Sequence, residues 1–187
     1  MEIIFVFCTA LFVVWFIVWS KRDPERSIPK KGVVSPADGK ISIIREDVNG
    51  KVRVGVFMNV YDVHVNRAPM PGYVKKIDHL PGRYVPAFSK DSDRNERVRI
   101  VFTSLDLSKK IDDEVEEWEV VLIAGALARR IKPYVKVGDY IEKGERIGHI
   151  EFGSRVDVIF PTGVRLGDLM VKKGDRVRAG ESTLLGD

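Results

Sequence analysis

A chain of 187 residues is long enough for one body with a proper core and too short for two full-sized domains. Its net charge of +4, from 31 basic and 27 acidic side chains without aromatic-rich basic clusters, argues against nucleic acid and fits anionic lipid headgroups. The single cysteine, Cys8, excludes an intramolecular disulfide and a cysteine-based metal site.

In chain order, the first element is an uncharged run from Ile3 to Trp19, rich in Phe, Val, Ile and Trp. It nears the lower end of the roughly 17–25 residues that span a bilayer, and it lacks the basic start and small-residue exit of a signal peptide. Residues 1–22 are therefore predicted to be a transmembrane helix. Lys21, Arg22, Arg26, Lys30 and Lys31 follow directly, which by the positive-inside rule puts the body on the cytoplasmic side of the cell membrane. Residues 23–32, with Pro24 and Pro29 among charges, read as a linker, and 33–187 as the functional domain.

That domain alternates short apolar runs with Gly, Pro, Asp and Asn. Strands are predicted at 40–44 and 51–58, joined through Asn49–Gly50 as a hairpin, and then at 60–65, 72–77, 97–102, 117–124 and 157–160. Helix formers at 107–117 are ambiguous. Residues 135–148 (VKVGDYIEKGERIG) and 171–184 (VKKGDRVRAGESTL) match at Val-Lys, Gly-Asp and Gly-Glu in the same order and spacing. The fold class expected is mainly β, a compact sandwich or barrel with the paired hairpin layers of lipoyl and biotinyl carriers.

The three histidines, His64, His79 and His149, show no metal-ligand spacing, and no phosphate-binding glycine loop of the Walker or dinucleotide type is present, so no metal site is expected. Three segments invite chemistry together. Ser-Pro-Ala-Asp-Gly-Lys at 35–40 sets Asp38 in a tight turn. Asn-Val-Tyr-Asp-Val-His-Val-Asn-Arg at 59–67 sets His64 in a β-type run beside Asn66. Phe-Gly-Ser-Arg at 152–155 sets Ser154 after Gly153.

With Pro-Gly-Arg-Tyr at 81–84 and Asn-Glu-Arg at 95–97, these segments resemble the short form of the phosphatidylserine decarboxylase family, which includes archaetidylserine decarboxylases. The resemblance implies a precursor that cuts itself at Gly153–Ser154, leaving a large chain (33–153 of the domain) and a small one (154–187). It implies Ser154, His64 and Asp38 as a catalytic triad, and a covalent pyruvoyl group made from Ser154 as the cofactor. A membrane phospholipid is the implied substrate, and a homodimer of cleaved pairs the implied assembly. The resemblance also implies a second histidine in this region of longer members, whose corresponding position here falls near Arg67. Arg83 and Lys90, in the 81–95 loop, are candidates to meet the lipid phosphate, and Asn66 is a further candidate for substrate binding. The alternative reading is a membrane-anchored, lipoyl-like adaptor without catalysis. A true carrier would need Lys where Ser154 stands, and a serine hydrolase would need a Gly-x-Ser-x-Gly elbow.

Overall fold

A computed structural model describes residues 2–47, 49–87, 89–104, 116–126, 130–150 and 153–186. Among them the chain forms helix α1 (Glu2–Ser20), then strands β1 (Val33–Val34), β2 (Gly39–Glu46), β3 (Val52–Phe57), β4 (Val65–Arg67), β5 (Gly72–Leu80), β6 (Arg97–Thr103), β7 (Glu117–Ile123), β8 (Ile131–Pro133), β9 (Tyr140–Ile141), β10 (Arg146–Ile150), β11 (Arg155–Ile159), β12 (Arg176–Val177) and β13 (Thr183–Leu185). Short 3-10 turns lie at Lys90–Arg94 and Leu166–Asp168. The chain is mainly β.

The helix corrects the expectation of a transmembrane anchor. Its 19 residues, at 1.5 Å each, make a rod of roughly 28 Å against a hydrocarbon core of about 30 Å. Near its middle, Thr9 turns its hydroxyl back onto the Phe5 carbonyl at 2.9 Å. Among the described residues no helix is long and apolar enough to cross a membrane.

One antiparallel sheet dominates, in the order β12-β2-β3-β11-β7-β6-β5-β9, with a three-stranded sheet β4-β10-β8 and the pair β1-β13 beside it. Alternation decides its inner face. Val52, Val54 and Val56 of β3, Val98, Ile100 and Phe102 of β6, and Val120 and Leu122 of β7 all enter the core with Val156 and Val158 of β11. Phe102 and Trp118 are cross-strand partners whose rings stack at 4.0 Å. The predicted hairpin at Asn49–Gly50 forms: β2 and β3 pair antiparallel, and Gly50 takes φ 73°.

The predicted strand at 60–65 gives way to a turn, and strand β4 starts only at Val65. Asp62 accepts a hydrogen bond from the Asn59 N–H at 2.8 Å, and its own N–H reaches the Asn59 carbonyl at 3.0 Å. Such Asx chemistry competes with the ladder and wins locally. The helix formers at 107–117 lie mostly outside the described residues.

The repeat is real in backbone detail. Gly138 and Gly174 have φ 94° and 103°, and the later pair Gly144 and Gly180 has φ 82° and 75°. The N–H groups of Lys136 and Lys172 cap the carboxylates of Asp139 and Asp175 at 2.7 and 2.9 Å. The expected two-layer sandwich of the copies is corrected, because they do not pair with each other. The first copy places β9 on β5 and β10 on β4, while the second places β12 on β2 and β13 on β1. β9 and β12 finish the two ends of the eight-stranded sheet on the longer strands β5 and β2, while β10 forms the centre of the three-stranded sheet and β13 pairs with β1.

Candidate active site

Ser154 begins where β11 leaves its loop. Its hydroxyl is fully buried and makes no hydrogen bond among the described residues, an arrangement that costs stability and marks the oxygen as a candidate for chemistry. Gly153 before it adopts φ 69°, a left-handed conformation that a side chain resists, although a Cβ there would meet nothing within 4 Å. The Ser154 carbonyl accepts from the Met58 N–H at 2.9 Å. The other end of the same segment is tied to the histidine turn, since the Ile150 N–H donates to the His64 carbonyl at 3.3 Å. Met58 is therefore bonded to Ser154, and His64 to Ile150.

His64 is buried, and its ring lies 6.4 Å from that of His149 on β10. Burial, then the charge of His149, pushes its pKa down from 6.5 to about 4. A hydrogen bond with the Asp62 backbone and the charge of Asp38 act in the opposite direction, and Arg22 adds to the lowering. The imidazole is thus neutral at pH 7 and able to take a proton. Asp38 is held from two sides. Its Oδ2 accepts from Arg26 at 3.0 Å in an ion pair whose arginine is almost wholly buried, and its Oδ1 accepts from the Ala179 N–H at 2.8 Å. It acts on His64 through space.

Comparison with known proteins decides what this arrangement belongs to. The phosphatidylserine decarboxylase family matches residues 13–185. A putative archaetidylserine decarboxylase proenzyme of Halobacterium salinarum is 54% identical over 90% of this chain and 80% of its own. The chain belongs to the phosphatidylserine decarboxylase family. A phosphatidylserine decarboxylase proenzyme of Streptomyces avermitilis is 47% identical over 88% of this chain and 71% of its own. A putative archaetidylserine decarboxylase proenzyme of Methanococcoides burtonii reaches 46% over 96% and 79%. The chain is accordingly a decarboxylase, a carboxy-lyase, and nothing in these findings favours the adaptor alternative.

Residues 21–32 are tied to the domain at several points. Arg22 bonds to the Trp19 carbonyl at 3.0 Å and to that of Tyr61, and Asp23 pairs with both Arg67 and Arg146. Arg26 reaches Asp38, Lys143 donates to the carbonyls of Lys30 and Gly32, and Ile28 covers Gly144 and Gly180. Arg67 is occupied by Asp23 and the Gly144 carbonyl.

On the outer face of β11, Arg155 and Asp157 form a buried pair, with Nε to Oδ1 at 2.8 Å and Nη2 to Oδ2 at 3.0 Å. Burial works against the Arg155 charge, but Asp157 and Asp93 more than offset it and hold its pKa above the ordinary value. Gly55, the cross-strand partner of Asp157, makes the room, since a Cβ there would stand 2.6 Å from the carboxylate. Arg155 also donates to Ser92 Oγ at 2.5 Å and pairs with Asp93, so it anchors the loop at 85–95 beside Ser154.

Of the other predicted residues, Arg83 is exposed just before that loop, bridged through its backbone to Asn95. Lys90 opens the 3-10 turn, and its side chain lies outside the described groups. Asn66 is buried on β4, with Nδ2 3.5 Å from the Met58 sulfur. An open cavity of about 500 Å³ lies between Pro29, Lys31 and Met170, lined by none of these residues. Sequence reasoning assigned no role to His149, Arg26, Arg155 or Asn95. His149 carried one weak signal, as a rare histidine four positions before Gly153.

Proposed function

We propose that the chain is a precursor that cleaves its own Gly153–Ser154 bond and, with the pyruvoyl group formed from Ser154, decarboxylates a serine phospholipid to the ethanolamine phospholipid. The observation that carries this reading is the buried Ser154 hydroxyl, unpartnered among the described residues, beside a left-handed Gly153 in a chain of this family.

The chain's own residues account for the cleavage. Ser154 Oγ bonds to the Gly153 carbonyl carbon while its proton passes to His64, kept neutral by burial. The C–N bond then breaks, the proton goes to the Ser154 nitrogen, and an ester replaces the amide. Asp38, held by Arg26, favours the transient imidazolium through its charge, the role of the acid in a triad. Loss of the Ser154 α-proton expels the Gly153 carboxylate, and the dehydroalanine left behind takes up water and releases ammonia to give the ketone. That ketone supplies the sink for the electron pair left when carbon dioxide departs. His64 is the group assigned to return a proton to the substrate carbon.

Phosphatidylserine and archaetidylserine share the headgroup this chemistry needs, and both occur in the names of the relatives. Arg83 and Lys90 are the cations assigned to the lipid phosphate. Asn66 Oδ1, buried and without a partner among the described residues, is the acceptor assigned to the substrate. Phe5, Phe7, Leu11 and Trp15 are exposed on α1 and support contact with the lipid surface, on the cytoplasmic side of the cell membrane, where basic residues meet anionic headgroups. Two cleaved pairs assemble as a dimer in this reading. Intact mass tests it. Purified wild type splits at Gly153–Ser154 and releases carbon dioxide from phosphatidylserine vesicles, whereas Ser154→Ala stays whole and inert. A wild type that remains a single chain after incubation with such vesicles refutes it.

A further inference from the structure

The scissile carbonyl has a second glycine against it. β11 pairs with β7 so that Arg155 stands opposite Ile123, and continuing that antiparallel ladder by two residues sets Gly153 opposite Gly125. The same continuation from β6, where Arg97 faces Ile123, sets Asn95 on the far side of Gly125. A Cβ added to Gly125 would lie 1.7 Å from the Gly153 oxygen and 2.7 Å from its carbonyl carbon, closer than any real contact. One Cα hydrogen of Gly125 therefore points at that oxygen, a weak Cα–H···O contact of the kind adjacent strands make.

The two glycines are required for opposite reasons. Gly153 has ample space but a left-handed φ; Gly125 has no left-handed φ but no space at all. The Gly125 segment is itself held firmly. The Asn95 amide, fully buried, donates to the Ala124 carbonyl at 2.7 Å, and the Ala124 N–H donates to the Glu96 carbonyl at 2.9 Å.

We propose that Gly125 is a positioning residue for self-cleavage: its bare Cα, braced by Asn95, seats the Gly153 carbonyl so that the carbon faces Ser154 Oγ. The inference rests on self-cleavage at Gly153–Ser154 and adds the group that orients the electrophile. Any side chain at 125 must push the carbonyl or its own strand by more than an ångström. A displacement of about 1 Å is enough to slow a reaction roughly 100-fold when it takes the reacting atoms out of alignment.

The test follows splitting by intact mass over time for wild type, Gly125→Ala and Gly72→Ala. Gly72→Ala is the steric control: its Cβ would stand 2.7 Å from the Thr103 carbonyl oxygen, away from the scissile bond. Each protein is also incubated at neutral pH with hydroxylamine, which cleaves the ester and yields a small chain starting at Ser154. Mass distinguishes that product from hydroxylamine cleavage at Asn49–Gly50. Gly125→Ala is expected to melt cooperatively, to split roughly 100-fold more slowly than wild type, and to give no hydroxylamine product, while Gly72→Ala splits near the wild-type rate whatever stability it loses. Should Gly125→Ala lack a cooperative melt, Asn95→Ala carries the test, since it removes the brace without adding an atom, and slow splitting is again expected. Wild type that fails to split overturns the self-cleavage reading itself. Wild type that splits, with the folded variant splitting equally fast, overturns the seat and leaves self-cleavage standing.

Discussion

Replacing Arg155 by Met removes the centre of a buried charge network, and its cost follows from what remains. Arg155 and Asp157 are each about 1% exposed or less, and Arg53 also reaches Asp157, with Nε to Oδ2 at 2.7 Å. Breaking a buried pair from one side costs about 3–5 kcal/mol because a charge is left in low dielectric. Here Asp157 keeps Arg53, which pulls the value toward the low end. Ser92 then loses its donor, at about 1 kcal/mol. The expected loss is about 3–4 kcal/mol, against about 0.5 kcal/mol for opening the more exposed pair Arg99–Glu119. Both are measured by urea unfolding of Ser154→Ala protein, which keeps the chain whole, with Trp118 fluorescence as the probe. The double variant Arg155→Met/Asp157→Leu should lose at least about 2 kcal/mol less than the two single losses combined, because apolar groups then replace both buried charges. A single-variant loss under about 1 kcal/mol, or strict additivity, refutes the reasoning.

Three further outcomes are expected. His64 binds its proton less readily folded, at about 4, than unfolded, at 6.5. The unfolded chain therefore protonates first as pH falls, so stability is full above pH 6.5 and declines toward pH 4 by up to about 3 kcal/mol. His64→Gln in Ser154→Ala protein should flatten that part of the stability-pH curve, and an unchanged slope counts against the buried neutral imidazole. Arg26→Met frees Asp38 and should lower Tm and slow splitting, with Arg26→Lys recovering part of both; equal rates in all three by intact mass would show that Asp38 needs no partner. Trp118→Ala opens a cavity against Phe102 and should cost about 3–5 kcal/mol by urea unfolding followed through far-UV circular dichroism, a loss below about 1 kcal/mol indicating that the core refills.

Much of the fold and part of the site could be read directly from the residues. Period-two alternation located β2, β3, β5, β6, β7 and β11, and Asn49–Gly50 located their first hairpin. The recurring Gly-Asp and Gly-Glu pairs announced turns that the backbone repeats almost angle for angle. Gly153–Ser154, Asp38 and His64 were visible as motifs because each is a local string. Where competition between local preferences was close, the pattern misled: the 60–65 run became a turn closed by the Asp62 carboxylate on the Asn59 N–H, and α1 fell short of a bilayer's thickness and apolarity.

What tertiary structure alone decided is which strings become neighbours. Gly125 is 28 positions before Gly153, and nothing near it in sequence hints at the contact; the β7–β11 register creates it. Arg26 sits in a segment that composition marks as a linker, yet its guanidinium meets Asp38, and Arg155 closes a loop more than sixty positions away. Periodicity reports which face a side chain takes, a property of residues two apart. Strand order and register, set by how one curled sheet closes over one core, determine what that face meets.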